Sequence, residues 1–246
     1  MRTVAISLKM YFGPARAQAY CAALASLAAR HPDVASGATE LVVLPSFVAI
    51  PAALSAAGNT RLRVGAQDLA TEDAGAFTGE VSGAELAELG VTHVVVGHAE
   101  RRRLFGEDDA VVRAKTASAL RNGLVPLLCV GEASRLDPVA AAAVVVEKVA
   151  SAIPDGTDQR VLVAYEPVWA IGAAEPAPHA YTSAVCHAIR AALGERLDSY
   201  GILYGGSAGP GLVTALGDSV DGLFLGRFAH DPSAVKTVLD ELAATR

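Results

Sequence analysis

The sequence VLVAYEPVWAIG, residues 161–172, joins a short apolar run to a loop near the middle of the chain. Residues 161–164 are apolar and partly β-branched, and Pro167 follows, which is typical of a parallel strand buried on both faces. Glu166 therefore lies where this strand ends. A carboxylate is costly to bury without a partner or a function. Glu166 is thus either an ion-paired structural residue or a catalytic base.

Eight apolar runs alternate with segments that have the composition of helices. Two such segments, residues 15–29 and 139–153, are rich in alanine, and each follows a proline (Pro14, Pro138) placed to start a helix. This alternation predicts a doubly wound sheet or a (β/α)₈ barrel, and 246 residues is a usual length for the barrel. The runs are residues 4–6, 41–44, 62–64, 94–96, 125–128, 161–163, 202–204 and 223–225.

Composition narrows the functional classes. No proline- or serine-rich linker divides the chain, so we predict one domain over residues 1–246, and the net charge of −6 argues against nucleic acid or anionic membrane as partner. Residues 1–6 run into a strand without a signal peptide, and no apolar stretch could span a bilayer. Cys21, Cys129 and Cys186 have neither disulfide nor metal-ligand spacing. We therefore predict a reduced, cytoplasmic protein without a metal site.

Polar residues and glycines collect where the predicted strands end, as the barrel requires of an active site. The segment from Asp68 to Ser82 is also longer than an ordinary loop, which indicates a functional or interface element. In strand order, the strand-end residues are Lys9, Gln67 with Asp68, His98, Glu132, Glu166, Gly205 to Ser207, and Gly226 with Arg227.

Five separated motifs follow one another along the chain: LKM at residues 8–10, GAFTGE at 75–80, VGHAERR at 96–102, AYEPVWAIG at 164–172 and YGGS at 204–207. In this order, and over essentially the whole chain, they resemble the motifs of the triosephosphate isomerase family. The resemblance implies a single (β/α)₈ TIM barrel and a cofactor-independent aldose–ketose isomerase of a small sugar phosphate. A doubly wound nucleotide-binding enzyme is disfavoured, because no G-x-G-x-x-G follows the first strand.

The resemblance assigns three catalytic residues to a proton transfer through an enediolate. Glu166 is the base, with a pKa raised by desolvation under a lid. His98 is the donor to the carbonyl oxygens; in this family that histidine is neutral and its pKa is lowered by a helix N-terminus, here expected near Ala99. Lys9 supplies the positive charge that attracts and holds the anion.

Further roles follow from the same resemblance. Phosphate and substrate contacts are expected from Ser7, Lys9, Gly172, Gly206, Ser207, Gly226 and Arg227. Glu100 is expected beside Lys9 and Glu132 near Trp169, although plain ion pairs with Arg101, Arg102 or other bases remain an alternative for the two glutamates. Tyr204, which begins the phosphate-loop motif, is expected to support the residues that contact the substrate. Phe77 and Thr78 are expected at the tip of a loop that enters the partner of a homodimer. No metal and no organic cofactor are implied.

The chain departs from the family pattern around the substrate. Ser7 stands where the family has asparagine, Ala99 where it has serine, and Arg227 where it has glycine. The lid also differs, at Ala174, Glu175 and Pro176. Because the base, donor and lysine are retained, the reaction type is expected to persist while the substrate can shift.

Two substrates are therefore expected. The family favours glyceraldehyde 3-phosphate and dihydroxyacetone phosphate, with a place in glycolysis and gluconeogenesis. The departures favour a tetrulose phosphate of the erythrulose 1-phosphate type, since family relatives that act on such ketoses carry a similar serine at the position of Ser7. A non-catalytic sugar-phosphate-binding barrel is a third alternative, which loss of Lys9, His98 or Glu166 would have favoured.

Overall fold

Eight parallel strands form a closed barrel in a computed structural model that describes residues 1–171, 177–194, 199–206 and 208–245. Each strand pairs with the next in sequence, and β8 pairs with β1. The predicted (β/α)₈ TIM barrel is thus confirmed, and every apolar run lies in or at one strand. The strands are β1 (Arg2–Ser7), β2 (Thr39–Leu44), β3 (Leu62–Ala66), β4 (His93–Val96), β5 (Val125–Val130), β6 (Val161–Tyr165), β7 (Tyr200–Tyr204) and β8 (Gly222–Leu225).

Helices surround the barrel. The two helices predicted from alanine-rich segments are α1 and α7, and a proline occupies the first turn of each as expected. Asp137 caps α7, because its side chain accepts hydrogen bonds from the first free backbone N–H groups. The helices are α1 (Pro14–Arg30), α2 (Pro32–Ser36), α3 (Ile50–Ala57), α4 (Gly83–Leu89), α5 (Ala99–Phe105), α6 (Asp109–Arg121), α7 (Pro138–Ala152), α8 (His179–Leu193), α9 (Leu212–Leu216) and α10 (Pro232–Ala244).

The strands bury both of their faces, which explains their continuous apolar sequences. Alternate residues fill the barrel interior, among them Val42, Leu162 and Phe224. Their neighbours, such as Val43 and Val163, pack outward against the helices. Among the described residues, no helix combines the length and the hydrophobicity needed to cross a bilayer.

A cluster of charged and polar side chains occupies the amino end of the barrel. Arg160 Nη1 lies 2.9 Å from Glu40 Oε2, and its Nη2 donates to Thr3 Oγ1 at 3.0 Å. His93 Nε2 lies 3.4 Å from the same Glu40 oxygen. Burial alone would raise the pKa of Glu40, but contact with His93 and the charge of Arg160 outweigh it and lower that pKa to about 2.

The long segment after β3 contains neither helix nor strand up to the start of α4, in agreement with the sequence. Ala70 N–H donates to Val81 O at 2.8 Å, so the two ends of the segment lie together. Ser82 and Glu85 form a capping box that starts α4. Phe77, near the tip of the segment, is about half exposed at 49%.

Candidate active site

A pocket opens at the carboxyl end of the barrel, where the strand-end residues were expected to meet. Most of its lining was predicted from the sequence, and Phe224 with Ile171 supplies apolar wall. Gly172, Ser207 and the lid residues Glu175 and Pro176 lie outside the described residues. The predicted residues that line the pocket are Ser7, Lys9, His98, Glu166, Gly206 and Gly226.

Glu166 follows β6 directly and is 8% exposed. Its backbone N–H donates to Val130 O at 2.8 Å, so β6 and β5 remain paired up to the carboxylate. Its Oε2 atom is buried without a hydrogen-bond partner. Burial raises the pKa of the Glu166 carboxyl, and His98 and Lys9 offset only part of this. The structure thus contains a desolvated carboxylate with a free lone pair facing the pocket.

Two glycines enclose Glu166 closely. A Cβ on Gly131 would overlap the Glu166 carbonyl, and a Cβ on Gly205 would lie 2.6 Å from both Cγ and Oε1 of the Glu166 side chain. Real Cβ atoms do not approach that closely, so both positions require glycine for steric reasons. The backbone of β5 and β7 therefore fixes where the carboxylate can lie.

His98 caps the N-terminus of α5, which begins at Ala99 as expected. Its Nδ1 accepts a hydrogen bond from the Glu100 backbone N–H at 3.1 Å. An Nδ1 that accepts carries no proton, so in the neutral ring the proton is on Nε2. That Nε2 atom lies 3.9 Å from Glu166 Oε2. The ring therefore presents an N–H donor to the same pocket that the carboxylate faces.

Lys9 has a φ of +44°, the one positive value among the described non-glycine residues. Such a conformation costs on the order of 1–3 kcal/mol and persists only when neighbours enforce it. Here the Lys9 N–H donates to Ser7 Oγ at 3.3 Å, and Gln67 Nε2 donates to the carbonyls of both Lys9 and Leu44. Lys9 Nζ lies 2.8 Å from Glu100 Oε1, so Glu100 is beside Lys9 as predicted.

Glu132 is 1% exposed and lies near Trp169, as expected from the resemblance. Its Oε1 accepts hydrogen bonds from Tyr165 Oη at 3.1 Å, Trp169 Nε1 at 2.6 Å and Tyr181 Oη at 3.0 Å. These donors lie on both sides of Glu166 in sequence, and Tyr181 comes from α8. One carboxylate oxygen therefore joins β6, the turn after it and the first turn of α8.

Of the remaining predicted site residues, Tyr204 is buried at a strand end, whereas Arg227, Phe77 and Thr78 are exposed. Tyr204 is buried at the end of β7, and a Cβ on Gly206 would overlap its hydroxyl, so this tyrosine packs against the loop after β7. Arg227, in contrast, is exposed and is absent from the pocket lining. Phe77 and Thr78 are exposed and remote from the pocket lining of their own chain.

Asp68 follows β3 but turns away from the pocket. Its carboxylate lies 2.6 Å from Lys115 Nζ and 2.9 Å from Arg101 Nη2, and Lys115 also contacts Glu107 at 2.6 Å. Arg101 therefore forms its ion pairs with Asp68 and Glu107, and not with Glu100. Among the described residues, no three His, Cys, Asp or Glu side chains are grouped to hold a metal ion.

Sequence reasoning missed two side chains close to Glu166. Cys129 lies beneath the carboxylate, and burial raises the pKa of its thiol well above the usual value. Lys148 of α7 donates to Gly131 O at 2.7 Å. The signal for Lys148 is its position as the only basic residue in a helix made almost wholly of alanine and valine. Cys129, inside an apolar run, gave no such signal.

Known proteins resemble this chain over most of its length. The sequence profile of the family described as triosephosphate isomerase matches residues 2–242. An L-erythrulose-1-phosphate isomerase of Pectobacterium atrosepticum is 47% identical over 245 residues, covering 97% of this chain and 95% of that protein. A triosephosphate isomerase of Mycobacteroides abscessus is 44% identical, covering 81% of this chain and 82% of that protein.

The fold has a close structural counterpart. The crystal structure of triosephosphate isomerase from Bartonella henselae superposes with a TM-score of 0.81, covering 98% of this chain and 99% of that chain at 27% identity. Profile, relatives and structure agree with one another and with the pocket at the carboxyl end of the barrel. This chain belongs to the triosephosphate isomerase family and is an isomerase.

Proposed function

We propose that this protein interconverts an aldose or ketose phosphate and its isomer by moving a proton between adjacent carbons through an enediolate. The observation that carries the proposal is the pair formed by Glu166 and His98. A partnerless carboxylate oxygen and an imidazole Nε2 lie 3.9 Å apart and face one pocket, together with Lys9. A base for carbon and a donor for oxygen are the two groups that this reaction needs.

The geometry of the site indicates which side chain transfers each proton. Glu166 removes the proton from the carbon next to the carbonyl and returns it to the neighbouring carbon. His98 Nε2–H gives its proton to the carbonyl oxygen that becomes negative and takes up the hydroxyl proton from the neighbouring oxygen, so the ring ends neutral as it began; the Glu100 N–H on Nδ1 fixes this tautomer. Lys9 stabilises the negative charge and attracts the phosphorylated substrate. No cofactor or metal has a step in this scheme.

The phosphate group is expected at the ends of β7 and β8. Gly206 and Gly226 line the pocket there, and backbone N–H groups at such glycines can approach an anion. Ser207 and Gly172 are proposed as further donors, although both lie outside the described residues. Arg227 is exposed, so we assign it a weak electrostatic contribution at most.

The triose phosphates are the first proposed substrates, because the base, donor and lysine of the family are all retained. A coupled assay tests this: we expect dihydroxyacetone phosphate to form from glyceraldehyde 3-phosphate, and Glu166→Gln to abolish it. Activity in the triose direction would be consistent with a role in glycolysis and gluconeogenesis. Tight binding without turnover on any sugar phosphate would instead indicate the non-catalytic barrel.

A tetrulose phosphate is the second candidate, and Ser7 is the observation that favours it. Ser7 lines both the catalytic pocket and the adjoining cavity that contains Gln67 and Val95, so its short side chain lies at the boundary of the two spaces and leaves more room there than an asparagine would. The 47% identity to the erythrulose-phosphate isomerase supports the same reading. Ser7→Asn, which restores the family's amide, should reduce turnover of erythrulose 1-phosphate more than turnover of glyceraldehyde 3-phosphate.

We propose a homodimer in which the tip around Phe77 and Thr78 enters a partner subunit. The support is a large cavity with a mostly apolar surface next to Lys9 and His98, which none of the described residues of its own chain fills. Met10 at its edge is 95% exposed. Light scattering at micromolar concentration should give twice the chain mass. An active monomer would contradict the proposed arrangement. The exposed apolar side chains of the cavity are Met10, Tyr11, Leu104 and Phe105.

Two smaller proposals complete this picture. We propose that residues 1–246 act as one domain, because the family profile spans residues 2–242 without interruption. We also propose a cytoplasmic location, for which the three buried, unpaired cysteines are the support. Limited proteolysis tests the first proposal, and fractionation of the source cell tests the second.

A further inference from the structure

Lys148 occupies an unusual position for a lysine. It lies in α7, its side chain is partly buried, and its ammonium donates to Gly131 O at 2.7 Å. No carboxylate among the described residues forms an ion pair with it. Burial and the neighbouring charge of Arg102 lower the pKa of Lys148, and the more distant charges of Asp109 and Glu132 offset only part of this. Removing a cation partly from water is costly when it gains only one backbone carbonyl as a partner. The contact therefore needs an explanation other than an ordinary ion pair.

The carbonyl that Lys148 contacts belongs to the segment on which Glu166 rests. Glu166 N–H donates to Val130 O at 2.8 Å and Val168 N–H donates to Glu132 O at 3.1 Å, so the chain around Glu166 is paired on both sides of Gly131. Gly131 itself contacts the Glu166 carbonyl so closely that no Cβ fits. A displacement of Gly131 must therefore displace Glu166.

Arg102 makes a matching contact one strand away. Its Nε donates to Gly97 O at 3.1 Å, and Gly97, with a φ of +70°, directly precedes His98. Arg102 and Lys148 line one small pocket together with Cys129 and Glu166, on the helix side of the carboxylate. Each cation thus holds the glycine carbonyl that precedes a strand-end residue, but Arg102 is also paired with Asp109 at 2.7 Å.

We propose that Lys148 is a positioning residue for the catalytic base: by holding Gly131 O it fixes the height of Glu166 over the barrel. This rests on the proposed role of Glu166. Misplacement of a catalytic group by about 1 Å can cost on the order of 10²-fold in rate. Because the other hydrogen bonds of the segment remain, loss of the Lys148 contact should displace Glu166 by less than this distance. The contact acts through the backbone, so substrate binding should be little affected.

The test compares variants that differ in reach and in donor capacity. Lys148→Met keeps the length and removes the donor, whereas Lys148→Gln keeps an N–H donor and removes the charge. Lys236→Met, at an exposed lysine paired with Asp240, is the matched control. We expect kcat to fall about tenfold in Lys148→Met with KM within about twofold, and Lys148→Gln to recover most of the loss. The control should match the parent.

A second readout does not depend on turnover. Trp169 is the only tryptophan in the chain, and its indole donates to the Glu132 side chain next to Gly131. In Lys148→Met, acrylamide should quench Trp169 fluorescence more strongly than in the parent, and in Lys148→Gln it should not. If the parent isomerises no sugar phosphate, the proposed function fails, whereas the fluorescence comparison still decides the role of Lys148.

Three results would overturn the inference. The first is a Lys148→Met protein with the parent's kcat and quenching. The second is a Lys148→Gln protein as impaired as Lys148→Met, which would remove hydrogen-bond donation as the cause. The third is a loss of kcat that Lys236→Met reproduces. If Lys148→Met does not fold, Lys148→Ser, too short to reach Gly131, takes its place with the same expectations.

Discussion

Two glutamates with side chains that are each 11% exposed occupy opposite ends of the barrel and differ in their partners. Glu40, at the amino end, contacts Arg160 and His93, and its pKa is lowered to about 2. Glu166, at the carboxyl end, has a buried oxygen without a partner, and its pKa is raised. The same scaffold thus gives one carboxylate two charged or chargeable partners and leaves an oxygen of the other without a hydrogen-bond partner. The first arrangement stabilises the fold, and the second is maintained at a cost to stability.

The largest expected effect comes from shortening the side chain of Glu166, the glutamate with a partnerless oxygen. Glu166→Asp withdraws the carboxylate by roughly one carbon–carbon bond, which should lower kcat on the order of 10²-fold. KM should change little, because the group acts mainly in the transition state. Steady-state kinetics on whichever sugar phosphate the parent turns over measures both. A near-normal kcat would remove Glu166 from the mechanism.

Glu40, the carboxylate with charged partners, should show the reverse pattern, in which stability falls and kcat does not change. Glu40→Gln leaves Arg160 and His93 without their charged partner, which should lower the free energy of unfolding by about 2 kcal/mol. The kcat of the folded enzyme should equal that of the parent, since Glu40 is at the far end of the barrel. Urea denaturation measures the first quantity. Lys236→Gln, at an exposed pair, is the control and should change stability by less than about 0.5 kcal/mol.

The contributions of Glu40 and Glu166 to the free energy of unfolding should change in opposite directions as the pH rises. Because the folded pKa of Glu40 is about 2 and its ordinary value is 4.5, its stabilisation is present above pH 4.5 and is lost as the pH falls toward 2. Because the pKa of Glu166 is raised above 4.5, its contribution is favourable when protonated and is lost as the pH rises through the raised pKa.

Chemical denaturation at several pH values measures this difference. Glu40→Gln should be less stable than the parent near neutral pH and should approach it in acid. Glu166→Gln should match the parent in acid and become the more stable protein as the pH rises. The parent's kcat/KM should fall in acid through the raised pKa of Glu166, because the base must be ionised. Parallel curves for all three proteins would contradict the assignment.

The smallest effect is expected at the mouth of the pocket. Arg227 is exposed and does not line the pocket. Arg227→Gly, which restores the family residue, should lower kcat/KM about twofold at low ionic strength and leave it unchanged at high salt, because an exposed charge acts by attraction and is screened. A large increase in KM at every salt concentration would show a direct phosphate contact instead.

The sequence predicted those features that depend on order along the chain. Seven of the eight apolar runs were followed by polar or glycine residues at the strand end, so Lys9, His98 and Glu166 could be placed at one end of the barrel before their distances were known. The resemblance added neighbours such as Glu100 and Glu132. Both the closed barrel and the pairing of Lys9 with Glu100 agree with those expectations.

Other features depend on how elements meet in space and have no trace in local sequence. The three donors to Glu132 include Tyr181, which comes from α8 and reaches the carboxylate only because that helix packs beside the barrel. The positive φ of Lys9 is supported by a hydrogen bond from Gln67, which follows a different strand. The direction of Arg227 is set by the turn after β8, which a motif comparison does not describe.

The steric enclosure of Glu166 has a consequence for how this protein can change. Gly131 and Gly205 admit no Cβ, so a library randomised at either position should return glycine among active clones, whatever substrate is used for selection. New specificity must then arise at positions that contact the substrate without contacting the base. Ser7 and Gly226 line the pocket, and Ser7 and Arg227, the residue after Gly226, are positions where this chain departs from the family pattern. An experimenter who wants a different sugar phosphate isomerised should therefore diversify those residues and keep the two glycines.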